Sequence, residues 1–232
     1  MGILRLTVAL VLQLLAAAAL ALPGAGRVIT VGPGWDGACD FASLTEALAR
    51  TEPGLRYEIR LLDQQVHQYR DNAVVDARTL VVRGGWESCS DDARRVPGGR
   101  SIIRSGTGGT VLSIAGDGVP RSTRVLLVDI DVVGARTAVD GGGLRISGGA
   151  TATLLRTRLR DNSALIGGGV LIEGRNTRAR LGEGFVVSGN RAQLAGGIRC
   201  QQGATILLED GVIEGNRADR ASDLSISDCR VR

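Results

Sequence analysis

Three consecutive stretches decide the fold: GGGLRISGGATATLLRTRLRDNSALI from Gly141, GGGVLIEGRNTRARLGEGFVVSGNRAQLA from Gly167 and GGIRCQQGATILLEDGVIEGNRADRAS from Gly196. Each unit, 26 to 29 residues long, carries the same parts in the same order: a glycine cluster, a short strand ending near another glycine, a second strand, and an apolar-x-[Asp/Gly]-Asn corner. The corners are residues 159–162, 187–190 and 213–216, and they put Asn162, Asn190 and Asn216 at one repeat position. The chain holds only five Asn, so three at equivalent places are not an accident of composition.

Short strands with one apolar face cannot bury it alone. They do so by winding into coils and stacking each coil on the last. Equivalent residues then lie about 4.8 Å apart along the axis. Asn suits such a corner because it tolerates the left-handed backbone and its stacked amides bond in a ladder. Gly168-Gly169 and Gly196-Gly197 are expected at another corner, where glycine allows backbone angles closed to other residues. This reading explains 34 Gly in the chain, 23 of them beyond residue 100. With five Pro and no strict every-third Gly the chain is not collagen, and 44% hydrophobic residues exclude a disordered polymer. The expected fold is all-β: a right-handed parallel β-helix, a single-stranded solenoid, with an N-terminal capping α-helix.

Upstream of the repeats the chain changes character. Arg5 precedes an apolar run over residues 6–22, and Ala19 and Ala21 form an A-x-A-like cleavage site, so residues 1–21 read as a secretory signal peptide. Residues 22–100 are expected to form the cap and first coils, and residues 101–232 the β-helix repeats. Ser43 and Glu46 make a capping box ahead of an apolar stripe of Leu44, Ala47 and Leu48, and Pro53-Gly54 ends that helix. Short strands follow: YEIRLL, AVVD, TLVVRGG, SIIRS, TVLSI and RVLLVDIDVV. Export suits the even count of four Cys. Of the three possible connectivities, pairing within each half, Cys39–Cys89 and Cys200–Cys229, is expected. No C-x-x-C occurs and His67 is the single His, so neither a zinc site nor any other metal or cofactor is expected. His67 reads as a surface residue of an early strand.

The Gly-Gly-[Ile/Leu/Val] and apolar-x-x-Asn pair, as in Val187-Ser188-Gly189-Asn190 with Gly196-Gly197-Ile198, resembles the repeat of polymorphic outer membrane proteins and related bacterial β-helix proteins of the pectin-lyase-like class. VITVG, Ser43-Leu44-Thr45-Glu46-Ala47-Leu48, YEIRLL and Val82-Arg83-Gly84-Gly85-Trp86 are similar to the N-terminal region of the same secreted proteins. The resemblance implies a helix capping the first coil. It is specific for fold rather than for function, because the motif is architectural.

Two constellations carry chemistry. Alternation in Asp129-Ile130-Asp131 places Leu126, Val128, Ile130 and Val132 on one face and both Asp on the other, with the carboxylates roughly 6.5 Å apart. That is near the spacing of an inverting glycoside hydrolase pair. The resemblance adds lyases that use carboxylate-bound calcium and an Arg base, roles for which Asp129, Asp131, Asp140 and Arg145 are the candidates. The plainer reading is a charged outward strand face. Arg156, Arg158 and Arg160 are expected to project from one face of a strand, where guanidiniums read an acidic polysaccharide or lipopolysaccharide phosphates by forked hydrogen bonds; the plainer reading is again a solvated face.

All 28 basic residues are Arg, spread along the chain rather than gathered into a patch, so no nucleic-acid partner is expected despite a net charge of +4. Leu224 and Ile226 match Ile198 and Cys200 and begin a further coil, whose open edge invites self-association unless Cys229 pins it. The sequence thus points to an exported non-catalytic protein of the cell surface or envelope, in the secreted, periplasmic or outer-membrane space. Adhesion or binding of an acidic polysaccharide or envelope component is its expected role, with no membrane span after signal cleavage. A polysaccharide lyase or glycoside hydrolase, and a fragment of a larger repeat protein, are the alternatives.

Overall fold

The computed structural model describes residues 26–33, 38–64, 66–69, 73–76, 78–106, 108–137 and 139–232, with no side-chain description for 66–69, 73 and 74. The signal peptide reading over residues 1–21 lies outside the described residues. Every pair of strands is parallel, and the chain winds as a β-solenoid.

Three faces surround the core. The first stacks Ala73–Asp76, Leu112–Ala115, Leu144–Ser147 and Val170–Glu173 onto the start of Ile198–Leu208 and of Leu224–Val231. The second stacks Arg27–Val31, Arg56–Leu62, Thr79–Trp86, Arg124–Val128, Thr151–Leu155 and Arg178–Leu181 onto the far end of Ile198–Leu208. The third is six-stranded and runs from Val66–Tyr69 through Ser101–Ser105, Ile130–Val133, Arg158–Arg160 and Phe185–Ser188 to Gly211–Glu214. Leu144 pairs with Val170, Val170 with Ile198 and Ile198 with Leu224, so one turn takes 26 or 28 residues. Earlier turns are longer: Ala73 pairs with Leu112 and Leu112 with Leu144. Their extra residues form excursions outside the coil, chiefly residues 87–100, which hides the repeat upstream of Asp140.

The core is a set of columns. Leu112, Leu144, Val170 and Ile198 form one, and Ile103, Val132, Leu159 and Val187 another, each residue nearly or wholly buried. Burying one such aliphatic side chain contributes about 1.5–3 kcal/mol, and each coil adds several. The helix Leu44–Ala49 closes the first end: Ser43 Oγ accepts the Glu46 N–H at 3.2 Å, and Leu44, Ala47 and Leu48 join the core with Val31 and Ile59. Cys39 is bonded to Cys89 and Cys200 to Cys229. The second bond ties the strand Leu224–Val231 to its neighbour; there the inward positions Leu224 and Ile226 are 37% and 40% exposed. Among the described residues no helix is long and apolar enough to cross a membrane.

Two corners differ from expectation. The Asn ladder forms, but Asn162, Asn190 and Asn216 are not left-handed; the residue before each one is, Asp161, Gly189 and Gly215 with φ of 57, 65 and 64°. That residue turns the chain, so the Asn side chain points inward. Asn162 Nδ2 and its backbone N–H both donate to Asn190 Oδ1 at 3.0 Å, Asn190 repeats this with Asn216 at 2.9 and 3.0 Å, and Asn216 ends on Asp223 Oδ1. The glycine pairs are also required for a different reason. A Cβ on Gly168 would lie 2.5 Å from the carbonyl oxygens of Arg191 and Gly196, and one on Gly197 would lie 2.3 Å from the Asp223 oxygen. Gly169 and Gly196 are equally pressed by backbone, at 2.7 and 2.4 Å. Close approach between coils excludes the side chain there, not an unusual backbone angle.

Candidate anion-binding corner

The turn between the second and third faces gathers most of the residues that the sequence singles out. RVLLVDIDVV is not one strand: Asp129 takes φ +56° and breaks it into Arg124–Val128 and Ile130–Val133. A left-handed residue shifts the phase of the pleat. Val125 and Leu127 therefore point inward before the break and Ile130 and Val132 after it, while Leu126 stays half-buried outside. Arg156, φ +46°, breaks the next coil one turn later, leaving only Arg158–Arg160 as strand. The expected single row of three guanidiniums is thus a corner residue plus a two-residue pair.

Both carboxylates are 5% exposed and saturated. Asp129 Oδ1 accepts from Arg156 Nε at 2.8 Å and Oδ2 from Arg156 Nη2 at 3.0 Å, a bidentate fork, while Arg95 Nη2 bonds Oδ2 from the other side. Asp131 Oδ1 accepts from Arg100 Nε at 2.6 Å, and Oδ2 from Arg160 Nη2 at 3.3 Å. Arg100 Nη2 also reaches the carbonyl oxygens of Ile130 and Arg156, lacing the corner across coils. Burial alone would push the Asp129 carboxyl up, but the Arg156 hydrogen bonds with the Arg95 and Arg156 charges outweigh it and hold the group below its ordinary value. The same fork raises the Arg156 guanidinium. Asp129 is therefore a fixed anion at neutral pH, unsuited to donate a proton.

The other candidates lie elsewhere. Arg145 is on the first face, its Nε 2.8 Å from Glu173 Oε1, and Asp140 lies at the glycine turn leading to that face. Neither meets Asp129 or Asp131, so these four candidates do not share a groove. Among the described residues no three His, Cys, Asp or Glu groups gather as a metal site would need. The His67 backbone pairs with Ile103 in the third face, and its side chain is not described.

Arg95 and Arg100 are the members that sequence reading misses. They belong to the excursion 87–100, anchored by the Cys39–Cys89 bond, which folds over the corner. Their signal is faint: Arg-Arg and a lone Arg flanking Pro97-Gly98-Gly99. The Asp129–Arg156 and Asp131–Arg160 partners were more legible, being 27 and 29 residues apart, one coil. Four guanidiniums thus serve two buried carboxylates, Arg95 and Arg156 on Asp129 and Arg100 and Arg160 on Asp131. Arg95, Arg100, Arg156 and Arg158 line a cavity of about 430 Å³, and Arg158 is exposed with no ion pair among the described residues. No protein-family model, no curated protein and no solved structure matches this parallel β-solenoid.

Proposed function

We propose that the protein is an exported, non-catalytic binding module that holds acidic polysaccharide of the cell surface or envelope on a rigid solenoid of the right-handed, pectin-lyase-like kind. The observation that carries this reading is the composition of the corner: Asp129 and Asp131 are fully neutralised, guanidiniums remain in excess, and Arg158 lines the cavity with no ion pair among the described residues. A cation would be repelled there, and a carboxylate or sulfate would be attracted. Two disulfides suit an oxidising compartment, where extracellular polysaccharide is met.

The test is binding of the mature chain to polygalacturonate, to heparin and to neutral dextran by calorimetry, with absorbance of unsaturated products followed in parallel. Saturable, salt-sensitive binding to the acidic polymers alone, without product, is the expected result. Product formation that Asp129→Ala abolishes would replace this reading with a lyase.

A further inference from the structure

The fold neutralises several of its stacked guanidiniums. Arg145 meets Glu173, Arg180 meets Glu209, and Arg156 and Arg160 meet Asp129 and Asp131, each with a partner about one coil away. The column beside the Asn ladder does not follow this pattern. Directly outside the Asn ladder, Arg136 pairs through its backbone with Ser163, Ser163 with Arg191, and Arg191 with Arg217. Arg136, Arg191 and Arg217 are exposed, and among the described residues none of their guanidiniums has a hydrogen-bond or ion-pair partner. The one carboxylate in their groove, Asp161, is engaged by Arg160 at 3.3 Å.

Like charges directly opposite on paired strands destabilise a sheet. Arg191 and Arg217 stand in register about 4.8 Å apart, and Arg136 is two steps from Arg191, about 10 Å. The fold does not need charge at this position, since Ser163 occupies it in the intervening coil. The groove is open, about 700 Å³, and crosses successive coils along the axis. Its floor is bare at two of the three left-handed corner residues, Gly189 and Gly215, while the third, Asp161, places a carboxylate there.

From this column we infer a second site: a track along the Asn corner that seats a linear acidic polysaccharide parallel to the solenoid axis, its anionic groups forked by Arg136, Arg191 and Arg217. This rests on the acidic-polysaccharide reading above and adds to it a location and a direction. The spacing of one coil is comparable to the advance of one sugar in an extended chain, so adjacent sugars meet Arg191 and Arg217, and the next sugar lies over Ser163 before one meets Arg136. A single-stranded nucleic acid is the competing polyanion. It is disfavoured because no aromatic side chain among the described residues lines the groove to stack a base, and because two disulfides suit an oxidising compartment.

The test compares the wild type, the triple variant Arg136→Ser, Arg191→Ser, Arg217→Ser, and Arg158→Ser, with hexagalacturonate and a single-stranded DNA hexamer as probes. Ser is the residue the column already carries at 163, and relief of repulsion predicts an unfolding midpoint of the triple variant equal to or above wild type. The triple variant should lose at least about tenfold in affinity for hexagalacturonate. Its salt dependence should flatten by roughly one unit of log–log slope per guanidinium removed. Loss in Arg158→Ser with wild-type binding in the triple variant would overturn the track and leave the corner reading standing. No binding by the wild type to either acidic sugar polymer would overturn both. Tighter binding of the DNA hexamer, lost in the triple variant, would keep the track and reassign its ligand, refuting the polysaccharide.

Discussion

Replacing Asn190 by Ala tests the ladder at its middle rung. The side chain is fully buried and makes four bonds: Oδ1 accepts the Asn162 N–H and Nδ2–H, both at 3.0 Å, and Nδ2 donates to Leu159 O at 2.8 Å and Asn216 Oδ1 at 2.9 Å. Ala leaves the Asn162 backbone N–H and one Asn162 Nδ2–H, both buried, without an acceptor. At about 1–3 kcal/mol for each unsatisfied group, the loss is about 2–6 kcal/mol. A typical domain has about 5–15 kcal/mol in total, so this single change is expected to take a large share. Asn176→Ala is the control: Asn176 is exposed, off the ladder and at φ +66°, and its loss should cost only about 1 kcal/mol of left-handed strain. Urea unfolding followed by circular dichroism, disulfides intact, measures both. Hydrogen exchange at the Asn162 amide localises the effect. A midpoint for Asn190→Ala no lower than that of Asn176→Ala, with Asn162 protection unchanged, would refute the ladder as a source of stability.

Asp129→Asn keeps a residue that tolerates φ +56° but removes the charge. Because the folded carboxyl lies below its unfolded value, its stabilisation is full above about pH 4 and fades as pH falls through the lower folded value, so the wild-type advantage should hold at neutral pH and shrink in acid; a gap constant down to pH 2 would contradict the ion-pair account. Gly168→Ala should destabilise by about 1–3 kcal/mol or more, because its Cβ meets backbone on two sides. Gly54→Ala, with nothing within 4 Å but φ +80°, should cost only about 1 kcal/mol in the same unfolding assay. Cys229→Ser opens a cross-link spanning 29 residues, worth roughly 3–4 kcal/mol of chain entropy, and limited trypsin digestion should then cut first at Arg220 and Arg230.

How far the sequence could be read depended on the range of the interaction behind each feature. The ladder was legible because a rare residue recurs at one coil spacing. The disulfide pairs followed from where the Cys lie along the chain. The break at Asp129 was not legible, since an apolar run with alternating Asp looks the same whether the pleat continues or turns. Only the coil above, where Arg156 turns at the same height and forks the carboxylate, selects the left-handed form. Reading Asp129 and Asp131 as two neighbours on one strand suggested an acid–base pair; the turn and the guanidiniums around it make them anchors. The glycines were found at the right places for the wrong reason, because a Cβ collision with another coil leaves no trace in local spacing.

By itself the amino-acid sequence determined that the chain from Gly141 stacks coils of 26 to 29 residues, and where its Asn and Gly corners fall. These follow from periodicity, which any one coil repeats. The tertiary structure alone decided which Arg are spent on carboxylates and which remain free, because that depends on what the neighbouring coil and the excursion 87–100 place beside each one. Arg156 and Arg160 were bound and Arg136, Arg191 and Arg217 were not, though all five look alike in the sequence. The physical reason is that charge pairing acts across the coil spacing of about 4.8 Å, between residues far apart along the chain.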